Sequence, residues 1–173
     1  MKRWLAVALL TITVVACSSA DPYPLLTGES SWAPTTIGTP VRSVALYLQP
    51  RPGDQVELVS AEPLGTLTGT EVRFYFSKPV IRSDGTRTIG EELRPLAGAS
   101  FSVDPHASQG PENTVGVVAE ITPRTAGTFS LTGVRLHFRL NGGGEQTKEM
   151  TGQFFIVCAN NLAPTDCGPP PPG

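Results

Sequence analysis

Glycine and proline interrupt this chain so often that a fold built from long helices is disfavoured. The 173 residues include 18 glycines and 17 prolines, and both residue types punctuate regular structure. Between the interruptions lie short runs in which apolar and polar residues alternate. In Glu71–Ser77, for example, Val72, Phe74 and Phe76 fall on one face. Because alternation with a period of two is typical of half-buried strands, the sequence predicts short β-strands joined by turns.

Seven or eight such strands are expected from Val41 onward. Asp84-Gly85 and the run that begins at Asn141 and continues through three glycines predict tight hairpins. Gly133 interrupts an alternating run and predicts a bulge or a bend. A helical period and a βαβ rhythm are both missing, so the predicted fold class is all-β, an antiparallel β-sandwich.

One short stretch resembles immunoglobulin-like domains. In Ala126–Leu131 a glycine, Gly127, precedes the aromatic Phe129 by two residues, as at the entry to the penultimate strand of those domains. Leu131 stands where their cysteine would be, and Thr125 stands where an acidic residue is usual. The resemblance implies an Ig-like sandwich without the inter-sheet disulfide. Other sandwich topologies remain open.

The first seventeen residues resemble a bacterial lipoprotein signal. Lys2 and Arg3 precede an apolar run from Trp4 to Ala16, which is too short to span a bilayer but suits the core of a secretory signal. Val14–Cys17 matches the lipobox. The resemblance implies cleavage before Cys17, a diacylglyceryl thioether on its sulfur, and a chain anchored at the extracytoplasmic face of the cell membrane. The alternative is an ordinary signal peptide with a chance cysteine.

The expected layout has four parts: signal peptide 1–16, lipid-anchored flexible tether 17–40, β-sandwich domain 41–167 and Pro-rich tail 168–173. The tether is inferred from frequent proline and the absence of a sustained apolar period. The alternative is that Leu25, Leu26 and Trp32 dock on the domain.

Three cysteines fit this layout. If Cys17 carries lipid, Cys158 and Cys167 remain and can form a disulfide, because exported chains meet an oxidising environment. A redox or metal pair is the alternative, but the spacing is not Cys-x-x-Cys and no histidine lies nearby.

Composition limits the classes of partner. The formal net charge is −2 and charged residues make up 16% of the chain, whereas nucleic-acid binding needs a basic surface. No motif for a cofactor, a phosphate loop or a hydrolase nucleophile is present. Ser102, Asp104, His106 and Ser108 have suitable side chains for catalysis, but they are more simply a surface turn.

The most suggestive constellation is a cationic row. Arg135, His137 and Arg139 alternate along one predicted strand, so they share a face at spacings of about 6.5–7 Å. Such a row is a candidate anion-binding site, and Arg73 extends it if its strand is a neighbour. The alternative is a solvated face balanced by Glu145 and Glu149 on the returning strand.

Metal binding is disfavoured. His106, His137, Met150 and Cys158 include the residue types of a copper site, but their spacing matches no such pattern.

Three functions are therefore open. The leading one is a non-catalytic, membrane-anchored surface lipoprotein whose sandwich binds or braces another exported component. A lipoprotein that binds a small anionic ligand or a metal ion is the second, and a hydrolase with a dispersed site is the third.

Overall fold

The computed structural model describes residues 31–78, 80–81, 83, 87–90, 92–107 and 113–160. Within these ranges the chain forms eleven strands. They are β1 (Ser31–Thr36), β2 (Val41–Leu48), β3 (Gln55–Thr66), β4 (Thr70–Ser77), β5 (Val80–Ile81), β6 (Arg87–Thr88), β7 (Arg94–Pro95), β8 (Ala99–Ser102), β9 (Val115–Pro123), β10 (Gly127–Leu140) and β11 (Glu145–Asn160).

The strands build two stacked sheets and a small ribbon. The five-stranded sheet has the order β1-β11-β10-β3-β8, the four-stranded sheet has the order β2-β9-β4-β7, and β5 pairs with β6 as a separate ribbon. All pairings are antiparallel except that of β1 with β11, which is parallel. The predicted all-β, Ig-like sandwich is confirmed. None of the described residues belongs to a helix that is long and apolar enough to span a membrane.

The core lies between the two sheets and follows the alternation in the sequence. On β10 the buried side chains are Phe129, Leu131, Val134, Leu136 and Phe138. On β9 they are Val115, Val117, Ala119 and Ile121, with Leu46, Leu58 and Val157 completing the centre. Leu131, at the position of the missing immunoglobulin cysteine, is part of this apolar core.

Two of the predicted turn features are confirmed. Asn141 and Gly142 have φ angles of 51° and 69°, and the N–H of Gly143 donates to the carbonyl of Leu140 at 2.9 Å. Positive φ at both central residues is what a tight hairpin between twisted strands requires. The register of β10 shifts between Leu131 and Gly133 against both β3 and β11, which is the predicted bulge. Residues 84–86 lie outside the described ranges, although β5 and β6 flank them as an antiparallel pair.

The expected start of the domain is wrong by ten residues. Residues 31–36, assigned to a flexible tether, form β1 and pair with Phe155–Asn160 of β11. Ala33 packs on the core and Thr35 is buried. A short edge strand that contains Pro34 shows no apolar period, which is why its sequence resembles a linker. Residues 1–30 and 161–173 lie outside the described ranges, and with them the predicted signal peptide, Cys17, Cys167 and the predicted tail.

The bulge at Gly133 provides a test of the fold. A Cβ on Gly133 would lie 2.2 Å from the carbonyl oxygen of Met150 in β11, so either strand must move to admit it. We expect Gly133→Ala to lower the free energy of unfolding by about 1–3 kcal/mol, measured by urea denaturation. Gly144→Ala is the control, because a Cβ there meets nothing within 4 Å. Equal stability of the two variants would contradict this account of the bulge.

Candidate functional site

The predicted row on β10 exists. Arg135, His137 and Arg139 alternate with the buried Leu136 and Phe138, so they share the outer face of the five-stranded sheet. Their side chains are partly exposed, at 38% for Arg135, 18% for His137 and 40% for Arg139.

Each arginine of the row lies between two glutamates. Arg135 is opposite Glu62 of β3 and Glu149 of β11, and its guanidinium contacts these carboxylates at 2.8 and 2.5 Å. The same arrangement recurs at Arg139, which bonds Glu57 of β3 at 2.9 Å and lies 3.7 Å from Glu145 of β11. Hydrogen bonds to Glu149 and Glu62 raise the pKa of Arg135.

His137 occupies the row between the two arginines. Its Nδ1 lies 3.1 Å from the hydroxyl of Thr147 and 3.3 Å from a carboxylate oxygen of Glu145. Its Nε2 is buried, lies 3.6 Å from Glu62 and has no hydrogen-bond partner within the described residues. The imidazole is therefore held between acidic side chains.

The resulting face is acidic. Two arginines face four glutamates, so with neutral His137 its formal charge is −2. An anion would meet guanidiniums that already bond carboxylates, and it would be repelled by the excess negative charge. This geometry favours a solvated face of paired charges, with a negative excess, over an anion site. Glu57 and Glu62 were missed in the sequence, because they lie 82 and 73 residues before their partners Arg139 and Arg135.

Arg73 does not extend the row. It lies on β4 in the other sheet and bonds Glu71 at 2.5 Å, and Arg124 bonds the same carboxylate. Hydrogen bonds from Arg124 and Arg73 hold the pKa of Glu71 below its ordinary value.

A buried carboxylate lies on the outer face of the four-stranded sheet. Glu120 of β9 is only 6% exposed. Arg42 of β2 donates from Nε to its Oε2 at 2.7 Å, and the hydroxyl of Tyr75 on β4 donates to its Oε1 at 3.3 Å. The guanidinium of Arg42 also lies 5.9 Å from the centre of the Tyr75 ring. These contacts replace the water that a buried carboxylate loses.

A cleft of about 480 Å³ lies beside the ribbon. Phe76 and Ser77, at the end of β4, line it together with Val80, Gly90 and the charged Lys78, Glu92 and Arg94. Val80 is 50% exposed, the one large apolar side chain among the described residues that is so exposed. The cleft therefore combines apolar surface with a charged border.

The other sequence candidates are not brought together. His106 lies in an exposed turn, where its N–H donates to Asp104 at 2.8 Å, and Ser108 lies outside the described ranges. His137 is level with Thr147, whereas Cys158 is eleven residues further along β11, roughly 35 Å away. The described residues include no cluster of histidine, cysteine and carboxylate side chains that could hold a metal ion.

The cysteine predictions stay predictions. Cys158 is buried near the end of β11, at 8% exposure. Cys17 and Cys167 lie outside the described ranges.

The Glu120 cluster yields a stability test. We expect Arg42→Met to lower the free energy of unfolding by about 1–3 kcal/mol, because it leaves a buried carboxylate without its strongest donor. Arg94→Met is the control, since Arg94 and Glu92 form a pair whose side chains are 61% and 74% exposed, and such pairs contribute about 0–1 kcal/mol. Urea denaturation measures both. An equal loss in the two variants would show that Glu120 does not depend on Arg42.

Comparison with known proteins shows no family for this chain. No family model matches, and no curated protein matches. Similar solved structures include a PapD-like domain of human CEP192, which is 12% identical to this chain. The match covers 92% of this chain and 99% of that domain, with a TM-score of 0.44.

Two further structures are similar over 80% of this chain. A family 123 glycoside hydrolase from Clostridium perfringens has 9% identity and a TM-score of 0.45, and the match spans only 24% of that enzyme. The CooA pilin subunit from enterotoxigenic Escherichia coli has 16% identity, 99% of its chain covered and a TM-score of 0.35. Because all three TM-scores are below 0.5, the fold assignment rests on the strand order and the core described above.

Proposed function

We propose that the protein is a non-catalytic lipoprotein, anchored through Cys17 at the extracytoplasmic face of a cell membrane, whose β-sandwich binds or braces another exported component. The lipobox at Val14–Cys17 supports the anchor. The first described strand begins at Ser31, fourteen residues after Cys17, so the chain between these two residues spans at most about 50 Å. The domain is thereby kept near the membrane surface.

The observation that carries the binding role is the cleft beside the ribbon. Phe76 and Val80 offer apolar surface, and Lys78, Glu92 and Arg94 surround it with charge of both signs. Apolar surface within a polar rim is the usual anatomy of a protein–protein contact. We propose that an exported protein binds here.

The alternative of a small anionic ligand is less well supported. Its candidate residues, Arg135 and Arg139, are each shared between two glutamates on a face of formal charge −2. No specific observation on the described residues favours a ligand at that face.

The anchor is tested at Cys17. We expect Cys17→Ser to prevent acylation, because the thiol is the acceptor, and to leave an uncleaved or shed protein. Detergent phase partitioning and mass spectrometry of the wild type and the variant measure this. A wild-type chain that partitions into the aqueous phase without added lipid mass would contradict the anchor.

The binding surface is tested at Val80. We expect Val80→Asp to reduce capture of the exported partner by at least tenfold with little change in melting temperature, because a carboxylate replaces an exposed apolar contact. Ala126→Asp is the matched control, since Ala126 is exposed at the opposite end of the sheet, after Pro123. Cross-linking on intact cells identifies the partner and quantifies capture. Equal capture by both variants would place the contact elsewhere.

A further inference from the structure

The ion pairs on the outer face of the four-stranded sheet expose their arginines. Arg42 is 50% exposed while its partner Glu120 is buried. Arg73 is 62% exposed, against 34% for its partner Glu71, and Arg124, which bonds the same carboxylate, is 57% exposed. Three arginines and two glutamates give a formal charge of +1, and solvent meets mainly the guanidiniums. We call this surface the arginine face.

The ion pairs on the outer face of the five-stranded sheet expose their carboxylates instead. Glu62 and Glu149 are 52% and 50% exposed, whereas Arg135 between them is 38% exposed. This surface, with the formal charge of −2 described above, is called the acidic face. The two sides of the sandwich therefore present opposite charge to the solvent.

A row of alternating charge crosses the arginine face. Arg42 of β2 and Arg73 of β4 both lie opposite Glu120 of β9 in the strand register. The row therefore reads positive, negative, positive across three neighbouring strands. Because neighbouring strands are about 4.8 Å apart, the backbones of the two arginines are separated by about 10 Å.

A row with the inverse order crosses the acidic face. Glu62 of β3 and Glu149 of β11 both lie opposite Arg135 of β10, so this row reads negative, positive, negative. It also spans three neighbouring strands, and its outer members are again about 10 Å apart. The two rows thus match in spacing and are opposite in sign at every position.

We propose that the arginine face of one copy of this chain binds the acidic face of another copy, with these two rows in contact. Each side chain of one row then lies over an opposite charge of the other row. The match holds in either direction, because each row is symmetric about its central residue. Complementary charge of this kind selects the partner and fixes the register of a contact.

The guanidiniums of the arginine face retain donors for a second carboxylate. Arg42 bonds Glu120 through Nε and Nη2, so its Nη1 takes no part in that pair, whereas a guanidinium carries donors on all three nitrogens. On the acidic face, Glu149 accepts both of its bonds from Arg135 through Oε1. Unlike a small anion on the acidic face, a carboxylate approaching the arginine face meets an excess of positive charge.

The arginine face also offers apolar surface beside its charged row. Val44 of β2 and Tyr75 of β4 lie opposite Val118 of β9, two residues along that strand from Glu120. The side chains of Val44 and Tyr75 are half-buried, so part of each remains accessible. Tyrosine and arginine are the residue types enriched at protein–protein contacts.

Contact between two identical faces is disfavoured by the same charges. Two acidic faces would bring −2 against −2, and two arginine faces would bring +1 against +1. Like charges across an interface oppose association. The contact is therefore between unlike faces, and each copy in a pair keeps one face unused, so that further copies can add in the same manner.

Sedimentation velocity of the purified full-length chain tests the proposal with two double variants. One is Arg73→Gln with Arg124→Gln, and the other is Glu62→Gln with Glu149→Gln. We expect each variant alone to self-associate at least tenfold more weakly than the wild type. An equimolar mixture of the two should form a dimer, because each variant keeps the face that the other lacks. Recovery of the dimer also shows that both variants are folded.

The matched control is Arg51→Gln with Arg94→Gln. It removes the same two positive charges as the first variant, but Arg51 lies in an exposed turn and Arg94 lies on β7, outside both rows. Its self-association should equal that of the wild type. Val80→Asp should also leave self-association unchanged, which separates this contact from the cleft proposed above for an exported partner. Association through any other part of the chain is common to all samples.

Four results would overturn the proposal. The first is a wild type without association that rises with protein concentration and falls between about 0.05 and 0.5 M salt, where exposed charges become screened. This includes the case in which the arginine face captures a different exported protein. The second is wild-type association by either double variant alone. The third is a mixture that stays monomeric, and the fourth is equal weakening by the control.

Discussion

The double pairing of β10 is the constraint on which the rest of the structure depends. This strand bonds β3 along one side and β11 along the other, and its inner face supplies five buried side chains to the core. The same alternation places Arg135, His137 and Arg139 outward, each level with residues of both neighbouring strands. Core packing and charge pairing are therefore set by one register. A slip of one residue would bury the arginines and expose the phenylalanines.

The charged side chains on the two outer faces of the sandwich differ in their exposure to solvent. On the five-stranded sheet, half-exposed arginines lie between exposed glutamates, and water still solvates every member. On the four-stranded sheet a carboxylate, Glu120, is buried, and its partner Arg42 is 50% exposed. Removal of one member is therefore tolerated on the first face, where solvent replaces it. It is costly on the second, where the remaining charge is enclosed.

Most of the fold could be predicted from the sequence, because alternation and turn residues are local signals. The hairpin at Asn141 and the bulge at Gly133 depend only on neighbouring residues. Half of the candidate site could be predicted. Glu149 lies on the strand that follows the Asn141 hairpin, so its position opposite Arg135 follows from a local signal. Glu62 also bonds Arg135, but it lies 73 residues earlier in the sequence. Arg73 was a wrong extension of the row, since sheet membership has no local signal. The strand at Ser31–Thr36 was missed because an edge strand with a proline lacks an apolar period.

The parallel pairing of β1 with β11 has a consequence for how the molecule is made. Ser31 and Phe155 are partners although they lie 124 positions apart in the sequence, so the sheet cannot acquire β1 until residues 155–160 have been synthesised. Contacts of such high sequence separation form late and slow the folding rate. Were the chain exported N-terminus first, as proposed above, this late pairing would leave the sheet incomplete until residues 155–160 had followed. The topology would then favour completion of the sheet after translocation rather than before it.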